Sequence, residues 1–171
     1  MQVQRRRRTL RATGAALVLA VVLAACGSGG DDEAAGPPAP DREFETFDGE
    51  VTSLEAFQGT PVVVNFWASW CAPCIAEMPD FEEVHQEVRD EVRFLGLNTQ
   101  DSREAADELV ERTGVTYDLA LDPDGDLFRD FEVFAMPTTF FVDADGHIAH
   151  QHSGLATKQQ LRDLIEEHLG A

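Results

Sequence analysis

The sequence predicts an α/β fold, a central mixed sheet with helices on both faces, and three observations lead to this fold class. Residues 61–67 and 92–97 are largely apolar runs, which is typical of strands buried on both faces. Segments with apolar residues at helical spacing follow each of these runs. Two further strands around a tight turn precede a last helix, so the order β-α-β-α-β-β-α distributes helices over both faces of one sheet.

The first elements are predicted between residues 44 and 67. Residues 44–51 contain an Asp48-Gly49 turn between short apolar stretches, which predicts a β-hairpin that extends the sheet at its N-terminal side. Ser53 stands where the N-cap of a short helix over 54–57 is expected. The run 61–67 is then the first fully buried strand.

A long helix is predicted to begin near Ala72, and its apolar residues fall along one face. These residues are Cys74, Met78, Phe81, Val84 and Val88. The second buried strand covers 92–97. Asp101 or Ser102 then caps a helix that ends near Gly114, a residue type that commonly terminates helices.

The last part of the chain repeats the alternation in shorter pieces. A short strand over 117–121 and a short helix over 124–131 come first. Residues 138–142 and 147–152 flank a turn-forming stretch, which predicts a hairpin. Thr157-x-x-Gln160 is a capping box and therefore marks the start of the final helix.

The charge of the chain is strongly acidic and unevenly distributed. Lys and Arg number 13 against 32 Asp and Glu, for a net charge of −19. The first 25 residues hold five Arg and no acid, so the remainder has 8 basic and 32 acidic residues, a net charge of −24. Such acidity excludes nucleic acid as the partner, because that binding depends on basic residues. Three cysteines are also too few for a disulfide-stapled scaffold.

Residues 1–25 are predicted to be a signal peptide. Arg5 to Arg8 precede an apolar run over 12–25, which is too short to span a bilayer. The run ends in Leu23-Ala24-Ala25-Cys26, which resembles the lipobox of bacterial lipoproteins. The resemblance implies cleavage before Cys26 and lipid attached to that residue, which anchors the protein to the outer face of the plasma membrane. An uncleaved anchor, or a secreted form with an incidental Cys26, is the alternative.

The segment that follows is predicted to be a tether. Residues 27–43 are dominated by Gly, Ser, Pro and acids, and they contain no apolar residue larger than Ala. Such a composition cannot bury a core, so we expect disorder. The expected organisation is therefore a signal peptide over 1–25, a lipidated cysteine and linker over 26–43, and one folded domain over 44–171.

The candidate chemistry lies in Trp70-Cys71-Ala72-Pro73-Cys74, between a buried strand and a helix. Two cysteines three residues apart can close a small disulfide ring. The free N–H groups at a helix N-terminus stabilise a thiolate, so Cys71 is expected to be the attacking nucleophile. Cys74, one turn further in, is then the resolving thiol of disulfide exchange.

Two bland explanations of the cysteine pair compete with this one. A Cys-x-x-Cys can be half of a zinc site, but the chain has no second pair, and His147 points away from His150 and His152 on a strand. A purely structural disulfide is the other, although so small a ring cross-links no distant elements. We therefore expect neither a metal nor any other cofactor, the redox-active group being the Cys71–Cys74 pair itself.

Two longer motifs carry a resemblance to a known family. The first is the stretch from Val64 to Cys74 with Glu77-Met78-Pro79 after it, and the second runs from Met136 to Asp143 and includes Pro137-Thr138-Thr139. With these motifs in this order, the sequence resembles the thioredoxin superfamily and, within it, the extracytoplasmic TlpA/ResA-type thiol–disulfide oxidoreductases and lipoproteins of the DsbE type. The resemblance spans 44–171 and implies a thioredoxin-like fold.

The resemblance also implies a substrate-binding groove. It implies a cis peptide bond before Pro137 and places that loop opposite the cysteine pair, where the backbone of Met136 pairs with a substrate strand. Trp70, Ala72 and Pro73 are then expected to contact the same substrate. The alternative for Met136 is simple core packing.

Glu77 matches an active-site glutamate of the ResA-like proteins. Near the thiols it is expected to raise their pKa values and to shuttle a proton during exchange. The alternative is a solvated helix carboxylate. Cytoplasmic thioredoxins carry a buried Asp where this chain has Asn65, and an amide cannot accept that proton.

The leading function is therefore a membrane-tethered thiol–disulfide oxidoreductase outside the cytoplasm. The family resemblance suggests reduction of the heme-binding Cys pair of apocytochrome c, with a transmembrane thiol carrier as electron donor. An oxidase of exported proteins, a thiol peroxidase and a copper-delivery protein on the same fold are the alternatives. Residues 67–71 lack the Thr/Ser-x-x-Cys pattern of peroxidases, and copper delivery typically uses a Cys-x-x-x-Cys spacing. A monomer is the default expectation.

Overall fold

The structure is a computed structural model that describes residues 36–171. The predicted signal peptide, Cys26 and residues 27–35 of the predicted linker lie outside the described residues. Among residues 36–171, no helix is both long and apolar enough to span a bilayer.

The elements occur in the predicted order, with boundaries that differ by one or two residues. The strands are β1 (Phe44–Thr46), β2 (Val51–Thr52), β3 (Val62–Trp67), β4 (Arg93–Thr99), β5 (Asp118–Asp122), β6 (Thr138–Val142) and β7 (Ile148–Ser153). The helices are α1 (Ala72–Val88), α2 (Arg103–Thr113), α3 (Asp126–Asp130) and α4 (Lys158–Leu169), with one 3-10 turn at Leu54–Phe57. β4 runs two residues beyond the apolar pattern because Asn98 and Thr99 continue its pairing with β5.

The seven strands form one mixed sheet in the order β2-β1-β5-β4-β3-β6-β7. β3, β4 and β5 are parallel, whereas β6, β7 and the β1–β2 hairpin pair antiparallel to their neighbours. This confirms the predicted fold class, including the N-terminal hairpin at one edge.

The core divides into two apolar clusters, one on each face of the sheet. Alternate residues of β3 separate between them, with Val63 and Trp67 in one cluster and Val62, Val64 and Phe66 in the other. The first cluster includes residues from α1, α2 and α4, and the second includes Leu127 of α3. Helices therefore cover both faces, which is why β3 is buried along its whole length.

Helix ends follow the predicted signals. Ser102 caps α2, its Oγ accepting from the N–H of Ala105 at 3.2 Å, and Gly114 ends that helix in the left-handed region. The capping box at Thr157 and Gln160 is present at the start of α4. Ser53 occupies the N-cap position of the 3-10 turn but makes no capping hydrogen bond with its side chain.

The folded part extends into residues that we assigned to the linker. The N–H of Ile148 donates to the carbonyl of Pro37, and the N–H of Ala39 donates to the carbonyl of Gly146. Arg42 forms an ion pair with Asp130 at 2.6 Å. Composition could not indicate this docking, because most of it uses backbone groups, which every residue type supplies.

Candidate active site

Cys71 and Cys74 lie where β3 gives way to α1, at the carboxyl end of the parallel strands. They form a disulfide with their Cα atoms 5.3 Å apart, and both residues are almost completely buried. Cys71 is the N-cap residue of α1, and Cys74 lies in its first turn. The chain therefore places one sulfur at the end of the helix and the other inside it, as the spacing predicts.

The first turn of α1 is suited to hold negative charge on Cys71. The N–H of Cys74 donates to Sγ of Cys71 at 3.3 Å, and the first turn contains no acidic residue. Pro73 has no N–H, so it leaves this donor without a competitor from its own position. A thiolate at Cys71 would be stabilised both by this bond and by the helix dipole.

The exposed surface beside the disulfide is formed by Trp70, Ala72 and Pro73. Trp70 is 60% exposed, and its indole N–H donates to the carbonyl of Gln100 at 3.1 Å. Trp67, in contrast, is fully buried in the core, as expected.

Asp101 anchors the turn that precedes the cysteines. Its carboxylate accepts from the backbone N–H of Ser69 at 2.6 Å and from Oγ of the same residue at 2.8 Å. It also accepts from Asn98 and from the N–H of Ser102. Burial acts to raise the pKa of Asp101, but these hydrogen bonds together hold it below its ordinary value.

The loop before β6 lies at the same edge of the sheet as the disulfide. Thr138 pairs with Phe66, so the residues just before β6 adjoin the residues just after β3. The Met136–Pro137 bond is cis, as the resemblance implies. Met136 is partly buried and packs against both core clusters, and the carbonyl of Pro137 accepts from the N–H of Gly154 at 2.9 Å.

Glu77 is a buried carboxyl group and not a solvated one. It lies on the inner face of α1, one turn after Cys74, and is 1% exposed. Its Oε1 accepts from Nδ2 of Asn65 at 2.9 Å, and its Oε2 accepts from the N–H of Ala156 at 3.0 Å. Burial raises the pKa of Glu77 to about 7, against the lowering effect of these two hydrogen bonds.

Two contacts of the site were not anticipated from the sequence. Asn65 was interpreted as a lost proton acceptor, but it holds Glu77 and also donates to Oγ1 of Thr139 at 3.1 Å. The signal was present, since a polar residue inside the apolar run 61–67 needs a buried partner. Asp101 was considered only as a helix cap, and nothing local indicated its bonds to Ser69.

Among residues 36–171, no three His, Cys, Asp or Glu side chains are grouped as a metal site requires. The rings of His150 and His168 stack face to face with centroids 4.1 Å apart. The described residues thus assemble one site with chemical potential, a dithiol pair beside a buried carboxyl group.

Comparisons with known proteins agree with this geometry. The model of the AhpC/TSA family matches residues 35–151. The thioredoxin-like protein YneN of Bacillus subtilis is 35% identical over 135 residues, which cover 77% of this chain and 78% of the relative. The thiol–disulfide oxidoreductase ResA of Geobacillus kaustophilus is 31% identical over 137 residues, covering 80% and 76%.

Solved structures show the same fold. A thiol:disulfide interchange protein of the thioredoxin family from Chlorobium tepidum superimposes with a TM-score of 0.71 and 26% identity, covering 79% of this chain and 97% of that one. A secreted thiol-disulfide isomerase from Corynebacterium glutamicum gives 0.68 and 26%, covering 77% and 83%. The chain belongs to the AhpC/TSA family, and it is a thiol–disulfide oxidoreductase of the TlpA/ResA/DsbE-like group.

Proposed function

We propose that this protein is a membrane-tethered reductase of disulfides in exported proteins, with the heme-binding Cys pair of apocytochrome c as its substrate. The observation that carries the proposal is Cys71 at the N-cap of α1, with the N–H of Cys74 directed at its sulfur. That arrangement favours a thiolate at the one position where a substrate sulfur can reach. A transmembrane thiol carrier is the proposed electron donor.

The proposed reaction transfers two electrons in two exchanges. The Cys71 thiolate attacks one sulfur of the substrate disulfide, which forms a mixed disulfide and releases the first substrate thiolate. Cys74 then loses its proton and attacks Sγ of Cys71, which releases the second substrate thiolate. The substrate is reduced, and the protein is left with the Cys71–Cys74 disulfide.

Glu77 is the proposed acceptor of the proton from Cys74. It follows Cys74 by one turn of α1, and its pKa of about 7 allows it to take up and return a proton at neutral pH. Trp70, Ala72, Pro73 and the Met136–Pro137 loop are proposed to hold the substrate, because they surround the disulfide at one edge of the sheet.

Trapping the mixed disulfide tests the roles of the two cysteines. The reduced Cys74→Ser variant of the full chain is expected to accumulate a covalent complex with oxidised apocytochrome c, and thiols are expected to dissolve it. The matched Cys71→Ser variant is expected to form none. A complex that depends on Cys74 instead would reverse the roles, and no complex with either variant would refute the proposal.

The reduction potential tests the direction of electron flow. A potential near that of thioredoxin, about −270 mV, supports a reductase, whereas about −120 to −180 mV would indicate an oxidase or isomerase of exported proteins. Equilibration of the Cys71–Cys74 pair with glutathione or thioredoxin buffers gives the value.

The tether is proposed from Cys26. A lipid on this residue would keep the protein at the outer face of the plasma membrane. Fractionation of cells that express the wild-type chain or Cys26→Ser tests it, with release of the variant from the membrane as the expected result. A variant that stays in the membrane fraction would contradict lipid anchoring.

A further inference from the structure

Exposed apolar side chains are concentrated around the disulfide. Among residues 36–171, the large hydrophobic side chains that stand exposed are Val51, Trp70, Phe134 and Leu155. Single exposed hydrophobic residues are ordinary on protein surfaces. Three of these four, however, lie in the loops that follow β3, precede β6 and follow β7.

The sheet brings these three loops to one edge. β3, β6 and β7 are consecutive neighbours, with Phe66 opposite Thr138 and Thr138 opposite Ser153. Neighbouring strands are about 4.8 Å apart, so the three loops succeed one another over roughly 10 Å. Trp70 beside Cys71, Phe134 and Leu155 therefore belong to one surface, which we name the apolar rim.

Hydrogen bonds hold the backbone on both sides of the two outer members of the rim. Before Phe134, the N–H of Val133 donates to the carbonyl of Phe128 at 3.0 Å, and after it the hydroxyl of Thr138 donates to the carbonyl of Ala135 at 2.7 Å. Phe134 is nevertheless 94% exposed. Its exposure therefore does not come from a frayed segment.

Leu155 is presented in the same way. The N–H of Gly154 before it donates to Pro137, and the N–H of Ala156 after it donates to Glu77. Trp70 is fixed through its indole N–H to Gln100. Side chains that are already held in place lose little freedom when a partner covers them, which favours binding.

We propose that the apolar rim is a specificity surface for a cysteine-containing segment of a polypeptide that carries a large apolar side chain within two residues of its cysteine. This inference rests on the proposed function. A substrate sulfur that reaches Cys71 brings its flanking residues over the rim, and side chains two residues apart in an extended segment are separated by about 7 Å. That distance matches the spacing from the disulfide to the neighbouring loops.

Two synthetic peptides test the inference. Each carries one cysteine as a mixed disulfide with glutathione, and the residues two positions before and after the cysteine are Phe in one peptide and Ser in the other. The second-order rate constant of each peptide with the reduced full chain is measured by tryptophan fluorescence. The wild-type protein is expected to prefer the Phe peptide by about five-fold or more, a factor within reach of one buried aromatic contact.

The variants separate the rim from the rest of the surface. Phe134→Ser combined with Leu155→Ser is expected to reduce the preference below about two-fold. Val51→Ser, an equally conservative change on β2 at the far edge of the sheet, is expected to keep it. A wild-type protein without preference, or a double variant that retains it, would overturn the inference.

Glutathione disulfide distinguishes this failure from failure of the proposed function. Wild-type protein that reacts with glutathione disulfide but shows no preference between the peptides refutes the apolar rim alone. Protein that reacts with neither glutathione disulfide nor either peptide refutes the proposed exchange chemistry and the rim with it.

Discussion

The Nδ2 atom of Asn65 donates a hydrogen bond of 2.9 Å to Oε1 of Glu77, and this contact joins β3 to α1 in the buried interior. The other carboxylate oxygen of Glu77 holds the N–H of Ala156, just before α4. The one carboxyl group with a strongly raised pKa near the disulfide is therefore bonded to two other elements of the fold. Its protonation is expected to affect both the reaction and the stability of the protein.

Glu77→Gln is expected to change the pH dependence of exchange. If the carboxylate takes the proton of Cys74, the wild-type rate rises with an ionisation near pH 7, and the amide removes that ionisation. At pH 8 the rate is expected to fall by about a hundred-fold. Stopped-flow fluorescence of resolution by Cys74 measures it, with Glu83→Gln on the same helix as the exposed control. An unchanged pH profile would exclude Glu77 from proton transfer.

The same variant is expected to alter the pH dependence of stability. The pKa of Glu77 is raised from 4.5 to about 7 in the folded state, so folding is favoured when the group is protonated. This contribution is fully present below pH 4.5 and is lost as the pH rises through 7, a change of roughly 3 kcal/mol in the free energy of unfolding. Urea unfolding at pH 5 and pH 8 is expected to show that much less loss in Glu77→Gln than in the wild type. Equal losses would contradict the raised pKa.

Asp101→Ala is expected to release the turn before the cysteines. The substitution removes the acceptor of both Ser69 bonds and of the Asn98 bond, at an expected cost of about 2 kcal/mol in unfolding free energy. Because Trp70 follows Ser69, its fluorescence is expected to shift and KM for peptide substrates to rise. Ser102→Ala, which removes only the α2 cap, is the control. An unchanged spectrum and KM would show that Asp101 does not position the site.

His150 is expected to oppose the pH effect of Glu77. Burial lowers the pKa of His150, and the neighbouring His168 and His152 lower it further. A depressed pKa in the folded state means that stability is present above pH 6.5 and is lost as the pH falls through the folded-state pKa. His150→Gln is therefore expected to lose less unfolding free energy than the wild type between pH 7 and pH 5.5. The same loss in both proteins would argue against this assignment.

The predictable part of the structure is the part that local patterns specify. Buried strands, helix caps and the position of Cys71 at the start of α1 follow from residues within a few positions of each other, and all were predicted. The burial of Glu77 was only half visible, because its spacing from Cys74 puts it on the inner face of α1, but its partners come from β3 and from the loop before α4.

What the sequence did not reveal depends on contacts between distant segments. The bond from Asp101 to Ser69 spans 32 residues, and the bond from Glu77 to Ala156 spans 79. The docking of residues 37–39 was missed for a different reason. Pro, Gly and Ala indicate that a segment has no core to bury, but they do not exclude pairing of its backbone with an exposed edge.

That docked segment decides from which pole of the domain the proposed tether leaves. Pro37 and Ala39 pair near Ile148, the end of β7 opposite Val142, whereas Ser153 at the other end of β7 belongs to the edge with the disulfide. Attachment point and reactive sulfurs are therefore separated by about 20 Å, the length of a six-residue strand. With Cys26 as the anchor, the domain resembles a torch held by its handle, and its reactive end can be directed away from the bilayer toward clients in the surrounding solution.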